Sequence, residues 1–407
     1  MTLNQELLSN PDAFSEMLFQ KMKRINPGLE LLELYEFRYG LNNLIPDQGN
    51  WASVILDSKQ ALEQRLNDIN FYRNIKIKPV SDGRIELDPE IEKLTNMLFV
   101  GLVTEEYEST WVHQHFYFDI RGFYFLHRTE YFTPSVLSHL CDRPYQQFEP
   151  KQAVFEIRQD IGYQEFMQAN SEVDQTFIAC VKKLIKTKGT PVLLAIAGPT
   201  AAGKTEIVER LQVEFNQAGQ KTTSIEMDNF LTDRDYREEQ GIHTQGKEAL
   251  HFELLKTSLE DIRKGKKITI PRYDFVYATS SHDLEGHQKP EGIPIEIEPA
   301  DIIFIEGNFP FLLEEIAHLM AIKVVYLTDD PIRIKRKWKR DIDYRKKYEP
   351  TYFRNRFFKD QFIMAQIAYI PQMQACDMLV DTTGAALWVT PETMILLETD
   401  TNQQNGQ

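Results

Sequence analysis

Cysteine is scarce in this 407-residue chain, and long apolar runs are missing. The three cysteines, Cys141, Cys180 and Cys376, lie far apart without a CxxC spacing, which excludes a disulfide framework and a zinc knuckle. No stretch of about 18 uncharged apolar residues occurs, and the first residues carry no basic segment followed by an apolar one. These absences predict a cytoplasmic protein that does not span a membrane.

Positive charge is also in short supply. Lys and Arg number 46 against 61 Asp and Glu, which gives a formal net charge of −15. This balance argues against a chain-wide affinity for nucleic-acid phosphates or anionic membranes, so any anion site must be local. We expect a small-molecule substrate as partner rather than nucleic acid or a membrane, and a homo-oligomer stays open.

Apolar residues are plentiful enough for large cores. They make up 42% of the chain, and charged residues make up 26%, as in globular proteins. The length predicts two or three domains. In the first third, apolar residues recur at three- and four-residue spacings, which predicts that this part is largely helical. The segment Lys186–Pro191 is typical of a linker. We therefore predict a mainly helical or α+β domain over 1–185, a second domain over 191–395 and a flexible tail over 396–407.

An aromatic segment between Trp111 and Phe132 is compatible with strand or with closely packed helix. His113 and His115 lie two apart within it, so on a strand both rings would share one face and could bind a metal. No further ligand pair is spaced to complete a set. An aromatic core with polar tips is the better interpretation.

From Pro191 onward the pattern alternates strand, turn and helix, which indicates an α/β fold. Apolar runs without alternation are typical of parallel strands buried on both faces. Five such runs predict a five-stranded parallel sheet flanked by helices. They cover 192–197, 224–227, 302–305, 322–327 and 378–380.

A Gly-rich turn follows the first run and matches G-x-x-x-x-G-K-[ST], the P-loop of nucleotide-binding proteins. Its glycines let successive backbone N–H groups point at a phosphate, and the next helix adds its positive N-terminal end. The motif predicts that Lys204 reaches the β- and γ-phosphates of ATP and that Thr205 coordinates Mg²⁺. The predicted nucleotide-binding residues are Gly198, Pro199, Thr200, Ala201, Ala202, Gly203, Lys204 and Thr205.

Four further segments distinguish between classes of P-loop NTPase. They are Ile225–Leu231, Ile268–Phe275, Ile302–Gly307 and Arg336–Arg345. In this order behind a P-loop, they resemble the uridine kinase and phosphoribulokinase family of P-loop small-molecule kinases, across about residues 191–385. The resemblance implies an ATP-dependent, Mg²⁺-requiring phosphotransferase with an alcohol group as acceptor.

The resemblance also implies roles for two carboxylates. Asp228 follows the second predicted strand and would accept the proton of the acceptor hydroxyl as it attacks the γ-phosphate. Glu306 ends a later strand and would hold Mg²⁺ together with Thr205. The alternatives are a helix cap for Asp228 and a structural hydrogen bond for Glu306.

A basic run covers 333–347, where nine of fifteen residues are Lys or Arg. Arg336 and Arg340 are four apart and share one helical face. As in the family's lid, that face can close over the triphosphate and offset the charge that develops on the transferred group. The catalytic residues are then Lys204, Asp228, Arg336 and Arg340. A solvated helix face and an RNA-binding patch are the alternatives.

The acceptor end departs from the uridine kinase pattern. Ala278 stands where that family carries a histidine, and Gln245–His251 replaces its D-H-P-D-A-F-D stretch. Arg272 and Tyr273 are predicted to bind the acceptor together with Asp228. Nucleoside-like, glycerate-like and sugar-phosphate acceptors stay open. Positive charge for an anionic acceptor is available from Arg234, Lys247 and Arg272.

A second hypothesis is a nucleotide-binding regulatory switch with weak or no kinase activity. In that case the nucleotide would act on the N-terminal domain or on a partner, because a kinase of this family does not need the first 185 residues for its chemistry.

Overall fold

The computed structural model describes residues 3–44, 48–74, 78–79, 85–86, 88–120, 123–149, 163–242, 246–343 and 360–404. These residues form two compact units. Unit 1 contains the described residues up to Glu130 together with 360–363. Unit 2 contains the other described residues, from Tyr131 onward.

Unit 1 consists mainly of helices. They are α1 (Leu3–Ser9), α2 (Pro11–Lys23), α3 (Leu34–Leu44), α4 (Lys59–Leu66), α5 (Ile69–Asn74), α6 (Pro89–Val103) and α7 (Ser109–His115). Two antiparallel hairpins pair β1 (Lys78–Pro79) with β2 (Ile85–Glu86) and β3 (Phe116–Asp119) with β4 (Tyr124–His127). Apolar side chains of α2 and α6 and phenylalanines of the second hairpin share one core.

The aromatic segment is helical up to His115, and β3 and β4 follow. His113 and His115 therefore lie on α7, so of the two structures compatible with the sequence this pair adopts the helix. Their Nδ1 atoms lie 3.0 and 2.9 Å from the carbonyl oxygens of Ile25 and Trp111. Among the described residues, no group of three or more His, Cys, Asp or Glu is arranged to hold a metal.

Unit 2 alternates strands and helices. Its strands are β5 (Gln146–Gln147), β6 (Val192–Ala197), β7 (Thr222–Glu226), β8 (Ile268–Ile270), β9 (Tyr273–Asp274), β10 (Thr279–Ser280), β11 (Ile295–Ile297), β12 (Ile302–Gly307), β13 (Ile322–Leu327), β14 (Met378–Asp381) and β15 (Ala386–Val389). Its helices are α8 (Pro134–His139), α9 (Tyr163–Lys188), α10 (Lys204–Gln217), α11 (Arg234–Glu239), α12 (Phe252–Arg263), α13 (Glu314–Ala317), α14 (Asp330–Asp343), α15 (Ile370–Met373) and α16 (Pro391–Gln404). A π-helical segment, Ala365–Tyr369, precedes α15.

A seven-stranded sheet runs through unit 2 in the order β5-β15-β14-β13-β6-β12-β7. The five strands from β14 to β7 are parallel, which confirms the predicted parallel sheet. Two antiparallel strands, β15 and β5, extend it at the β14 edge. The sequence prediction included neither of these strands.

Both faces of this sheet are covered. Leu193 and Ala195 of β6 contribute to the core that contains α12, whereas Leu194 and Ile196 contribute to the core that contains α9 and α10. Successive residues are thus buried on opposite sides, which explains why the strand sequences do not alternate with polar residues. The carboxyl ends of β6, β7, β12 and β13 meet at one edge of the sheet, where α/β folds place their ligands.

The units divide the chain earlier than residue 185. Tyr131, α8 and α9 belong to unit 2, because the apolar stripe of α9 packs on the sheet beside α10. The stripe was visible in the sequence, but its packing partner was not. The expected tail over 396–407 also begins inside a helix, since α16 extends to Gln404. None of the helices in the described part of the chain is long and apolar enough to cross a membrane.

Candidate active site

The P-loop connects the end of β6 to the start of α10 and requires its two glycines. A Cβ atom on Gly198 would lie 2.2 Å from the carbonyl oxygen of Tyr326, which leaves no room for a side chain. Gly203 precedes α10 with φ +102°, a conformation that favours glycine. The predicted strand, Gly-rich turn and helix are therefore present, and the N-terminal N–H groups of α10 face the loop.

Lys204 is the first residue of α10. Its Nζ donates hydrogen bonds to the carbonyl oxygens of Gly198 (2.9 Å) and Pro199 (3.0 Å). Desolvation lowers the pKa of Lys204, and the positive charges of Arg340 and Arg333 act in the same direction. A cation in such surroundings is stabilised by an anion, so Lys204 suits a phosphate ligand.

Thr205 and Glu306 join α10 to β12. The Thr205 hydroxyl donates a 2.8 Å hydrogen bond to Oε1 of Glu306. Glu306 is only 6% exposed, and this burial raises its pKa to about 7, with the nearby charges of Glu226 and Asp228 acting in the same direction. Adjacent hydroxyl and carboxylate oxygens at the P-loop are the ligands that Mg²⁺ takes beside phosphate groups, so the donor set fits that ion.

Asp228 lies on a 3-10 turn, Met227–Phe230, directly after β7. It is half-buried, and its charge acts on both Lys204 and Glu306. The structure thus brings together the three predicted residues Lys204, Asp228 and Glu306 at one edge of the sheet. The side chain of the next residue, Asn229, accepts a 3.2 Å hydrogen bond from the backbone N–H of Tyr273 and ties this turn to β9.

Residues 333–343 of the basic run lie on α14, and the arginines of this stretch contact the P-loop. Arg336 donates to the carbonyl oxygens of Ala201 and Ala202, both at 3.2 Å. Arg340 donates to Oγ1 of Thr200, also at 3.2 Å. Desolvation lowers the pKa of Arg336 to about 9. The two predicted lid arginines therefore face the P-loop rather than open solvent.

A third arginine of α14 was not predicted as a site residue. Arg333 is fully buried and donates to the carbonyl oxygen of Thr200 at 3.1 Å. It also forms an ion pair with Asp330 and donates to the hydroxyl of Tyr131 at 3.1 Å. Its position three residues before Arg336 was the one available signal. Nothing in the sequence pointed to Tyr131, which lies 202 residues away.

Tyr273, which the sequence predicts to bind the acceptor, is buried. This side chain is 5% exposed, and its hydroxyl accepts a 3.0 Å hydrogen bond from Arg237. The Arg237 guanidinium also lies 5.5 Å from the Tyr273 ring centroid. Arg237 is itself 5% exposed, and among the described residues no carboxylate pairs with it.

The three cations that the sequence suggested for an anionic acceptor lie in three different environments. Arg272 is exposed. Lys247 is exposed and pairs with Glu315 at 3.0 Å. Arg234 begins α11, where its backbone N–H donates to the carbonyl oxygen of Ala278. Arg237 was missed because it follows the Asp228 motif by nine positions and matches no family pattern. Gln245 and Arg345 lie outside the described residues.

Comparison with known proteins decides the family. The sequence profile of the phosphoribulokinase/uridine kinase family matches residues 193–387. A uridine kinase from Brevibacillus brevis is 34% identical over 160 residues, which are 39% of this chain and 69% of that protein. The chain belongs to the phosphoribulokinase/uridine kinase family.

The chain is also similar to a second uridine kinase and, more distantly, to a solved structure. A uridine kinase from Lactobacillus helveticus is 32% identical over 155 residues, 37% of this chain and 68% of that protein. Among solved structures, the phosphoribulokinase from Rhodobacter spheroides is 16% identical, with 48% of this chain and 70% of that chain covered and a TM-score of 0.33. Membership of the phosphoribulokinase/uridine kinase family supports an ATP-dependent kinase that acts on a small molecule. Helices α1 to α9 precede the matched residues.

Proposed function

We propose that this protein is an ATP-dependent kinase that transfers the γ-phosphate of ATP to a hydroxyl group of a small metabolite. One observation carries the proposal. Lys204, Asp228 and Glu306 converge at the sheet edge beside the P-loop, and two arginines of α14 contact the same loop. A cation for phosphate, a base for a hydroxyl and a metal ligand are the parts that phosphoryl transfer requires.

The roles follow from where the side chains lie. The backbone N–H groups of the P-loop and Lys204 bind and orient the phosphates. Asp228, half-buried at the end of β7, accepts the proton of the acceptor hydroxyl. Arg336 and Arg340, which contact the P-loop from α14, stabilise negative charge on the transferred group. Thr205 and Glu306 hold Mg²⁺, which when bound offsets the charge of the phosphate oxygens.

The surroundings of Tyr273 favour an acceptor that carries an anionic group. Arg237 is a buried guanidinium whose hydrogen bonds go to neutral acceptors, the Tyr273 hydroxyl and the carbonyl oxygen of Thr232. Burying a cation without a counter-charge is costly, and a carboxylate or phosphate of the acceptor would offset that cost. We therefore place glycerate-like and sugar-phosphate acceptors ahead of a neutral nucleoside, with Tyr273 and Arg272 as further acceptor contacts.

The first experiment measures ADP release with a panel of hydroxyl acceptors. Asp228→Asn keeps the size of the side chain and removes the base, so turnover should fall by about 10²–10⁴-fold. Asp235→Asn is the matched control, because Asp235 is an exposed aspartate seven residues further along. Its turnover should stay at the wild-type value. Nucleotide binding without any acceptor-dependent ADP release would favour the regulatory switch instead.

The second experiment compares acceptors in pairs that differ by one anionic group. Glycerate is tested against glycerol, and a pentose phosphate against the free pentose. An anionic member should be preferred by about tenfold or more, and Arg237→Gln should remove that preference. A neutral member that reacts equally well in both proteins would contradict the anionic acceptor while leaving the kinase assignment intact.

A further inference from the structure

We infer that Asp174 is a positioning residue that holds the P-loop in shape from α9, a helix outside the residues that match the kinase family. The inference rests on the proposed function, because it concerns the binding of MgATP. Asp174 precedes the matched residues by 19 positions, counting from residue 193. Family patterns therefore say nothing about it.

The Asp174 carboxylate joins two elements of the nucleotide site. Its Oδ1 accepts a 2.7 Å hydrogen bond from the hydroxyl of Tyr326 on β13, and its Oδ2 forms an ion pair with Arg210 on α10. Asp174 is 3% exposed, so these partners replace water. Phe177, one turn further along α9, packs its ring against Tyr326 with centroids 6.5 Å apart.

Tyr326 in turn lies directly against both glycines of the P-loop. Its carbonyl oxygen would lie 2.2 Å from a Cβ atom on Gly198, and its ring Cε1 would lie 3.5 Å from a Cβ atom on Gly203. A shift of Tyr326 would therefore change the surface against which the P-loop packs. Arg210 acts on the same structure, since it lies on α10, the helix that begins at Lys204.

The negative charge of Asp174 matters as well as its hydrogen bonds. The charged and titratable groups that face Asp174 are Arg210, Arg336 and Tyr326, and Arg336 also donates to the carbonyl oxygens of Ala201 and Ala202. Removing the negative charge at position 174 would break the ion pair with Arg210 and would remove a charge that also acts on Arg336. The same burial raises the pKa of Asp174 to about 6, so its charge is present at neutral pH and is lost in mild acid.

A second ion pair between α9 and α10 provides a matched control for the possibility that Asp174 only holds these two helices together. Lys182 of α9 pairs with Glu214 of α10 at 2.7 Å, so this ion pair connects the same two helices. Both side chains are about 40% exposed, at 39% and 43%, and neither hydrogen-bonds to the P-loop or to Tyr326. If Asp174 only holds α9 against α10, then breaking either ion pair should change the affinity for MgATP to a similar extent.

The test is a calorimetric titration of MgATP into the full chain. We expect Asp174→Asn to weaken the affinity by about tenfold, Tyr326→Phe by about threefold, and Lys182→Met by less than about twofold. The ratio of Kd between Asp174→Asn and wild type should shrink toward one as the pH falls from about 7.5 to about 5.5, because wild-type Asp174 then also becomes neutral. A purely structural substitution would keep that ratio constant.

Each failure has a distinct signature. Wild-type affinity in Asp174→Asn, or equal weakening in Lys182→Met, would overturn the positioning role. A pH-independent ratio would overturn it as well. If Asp174→Asn does not fold, Tyr326→Phe decides, since wild-type affinity in that variant refutes the inference. If the wild-type chain itself binds no MgATP, the proposed function fails and the inference fails with it.

Discussion

The hydroxyl of Thr205 donates a 2.8 Å hydrogen bond to Oε1 of Glu306 and so links the first turn of α10 to β12. Glu306 is buried, and its pKa is raised to about 7, because burial disfavours the ionised form more than Lys204 and Thr205 stabilise it. A divalent cation at this pair would stabilise the ionised form. The pair is therefore where dependence of nucleotide binding on metal should originate.

Glu306→Gln tests that origin, because the amide keeps the shape and the hydrogen-bond acceptor but not the charge. We expect the affinity for MgATP to fall by about tenfold or more, while the affinity for ATP in excess EDTA changes little. Titration calorimetry with and without Mg²⁺ measures both. Equal losses under the two conditions would mean that Glu306 acts on the loop and not through a metal. Glu239→Gln, an exposed glutamate at the end of α11, is the control.

Gly198→Ala tests the close packing of the P-loop. The added methyl group would meet the backbone oxygen of Tyr326 at 2.2 Å, so the loop or β13 must shift. We expect the melting temperature to drop by several degrees and MgATP binding to be lost. Gly219→Ala is the control, because a φ of +81° strains an alanine but nothing lies within 4 Å of the added methyl group. It should cost about 1 kcal/mol of stability and leave nucleotide affinity unchanged. Similar nucleotide affinities in the two variants would argue against a tight cradle.

Arg340→Met tests the lid role. Arg340 lies on α14 and donates to Oγ1 of Thr200. Because its charge should matter most as the phosphoryl group is transferred, we expect kcat to fall by about 10²–10³-fold with a smaller change in the Kd for MgATP. Lys337→Met removes a positive charge from the same helix and should leave kcat within about twofold. A loss confined to Kd would assign Arg340 to ground-state binding.

His251→Gln tests a pH effect at the acceptor end. His251 lies before α12 with Nε2 3.1 Å from Oγ of Ser280, and burial lowers its pKa to about 4. Between about pH 6.5 and 4 the unfolded chain binds a proton that the folded chain does not, so folding stability falls as the pH falls. Wild type should therefore lose up to about 2–3 kcal/mol across that window relative to the variant. Parallel melting curves for both proteins from neutral to acid pH would contradict this.

The parallel sheet and the P-loop could be predicted because their signals are local. Residues 192–197 form an unbroken apolar run, and Gly198, Gly203 and Lys204 follow at fixed spacing. The positions of Asp228 and Glu306 followed in turn, since the carboxyl ends of parallel strands lie at one edge. Their arrangement needed no knowledge of distant contacts.

Contacts between distant parts of the chain could not be predicted. Tyr131 and Asp174 reach α14 and β13 across 202 and 152 residues. Asp174 belongs to none of the sequence motifs, and only the packing of α9 shows that it is buried. The short strand β5 was lost for a related reason, because its pairing with β15 is set by tertiary structure and not by its own two residues.

The most direct measurement of the central claim is mass spectrometry of a metabolite mixture incubated with MgATP and the protein. The account predicts that one hydroxyl compound, with an anionic group, gains a single phosphoryl group as ADP forms, and that Asp228→Asn lowers this conversion by at least about 10²-fold. ATP binding without any phosphorylated product would contradict it. So would equal product formation by wild type and Asp228→Asn.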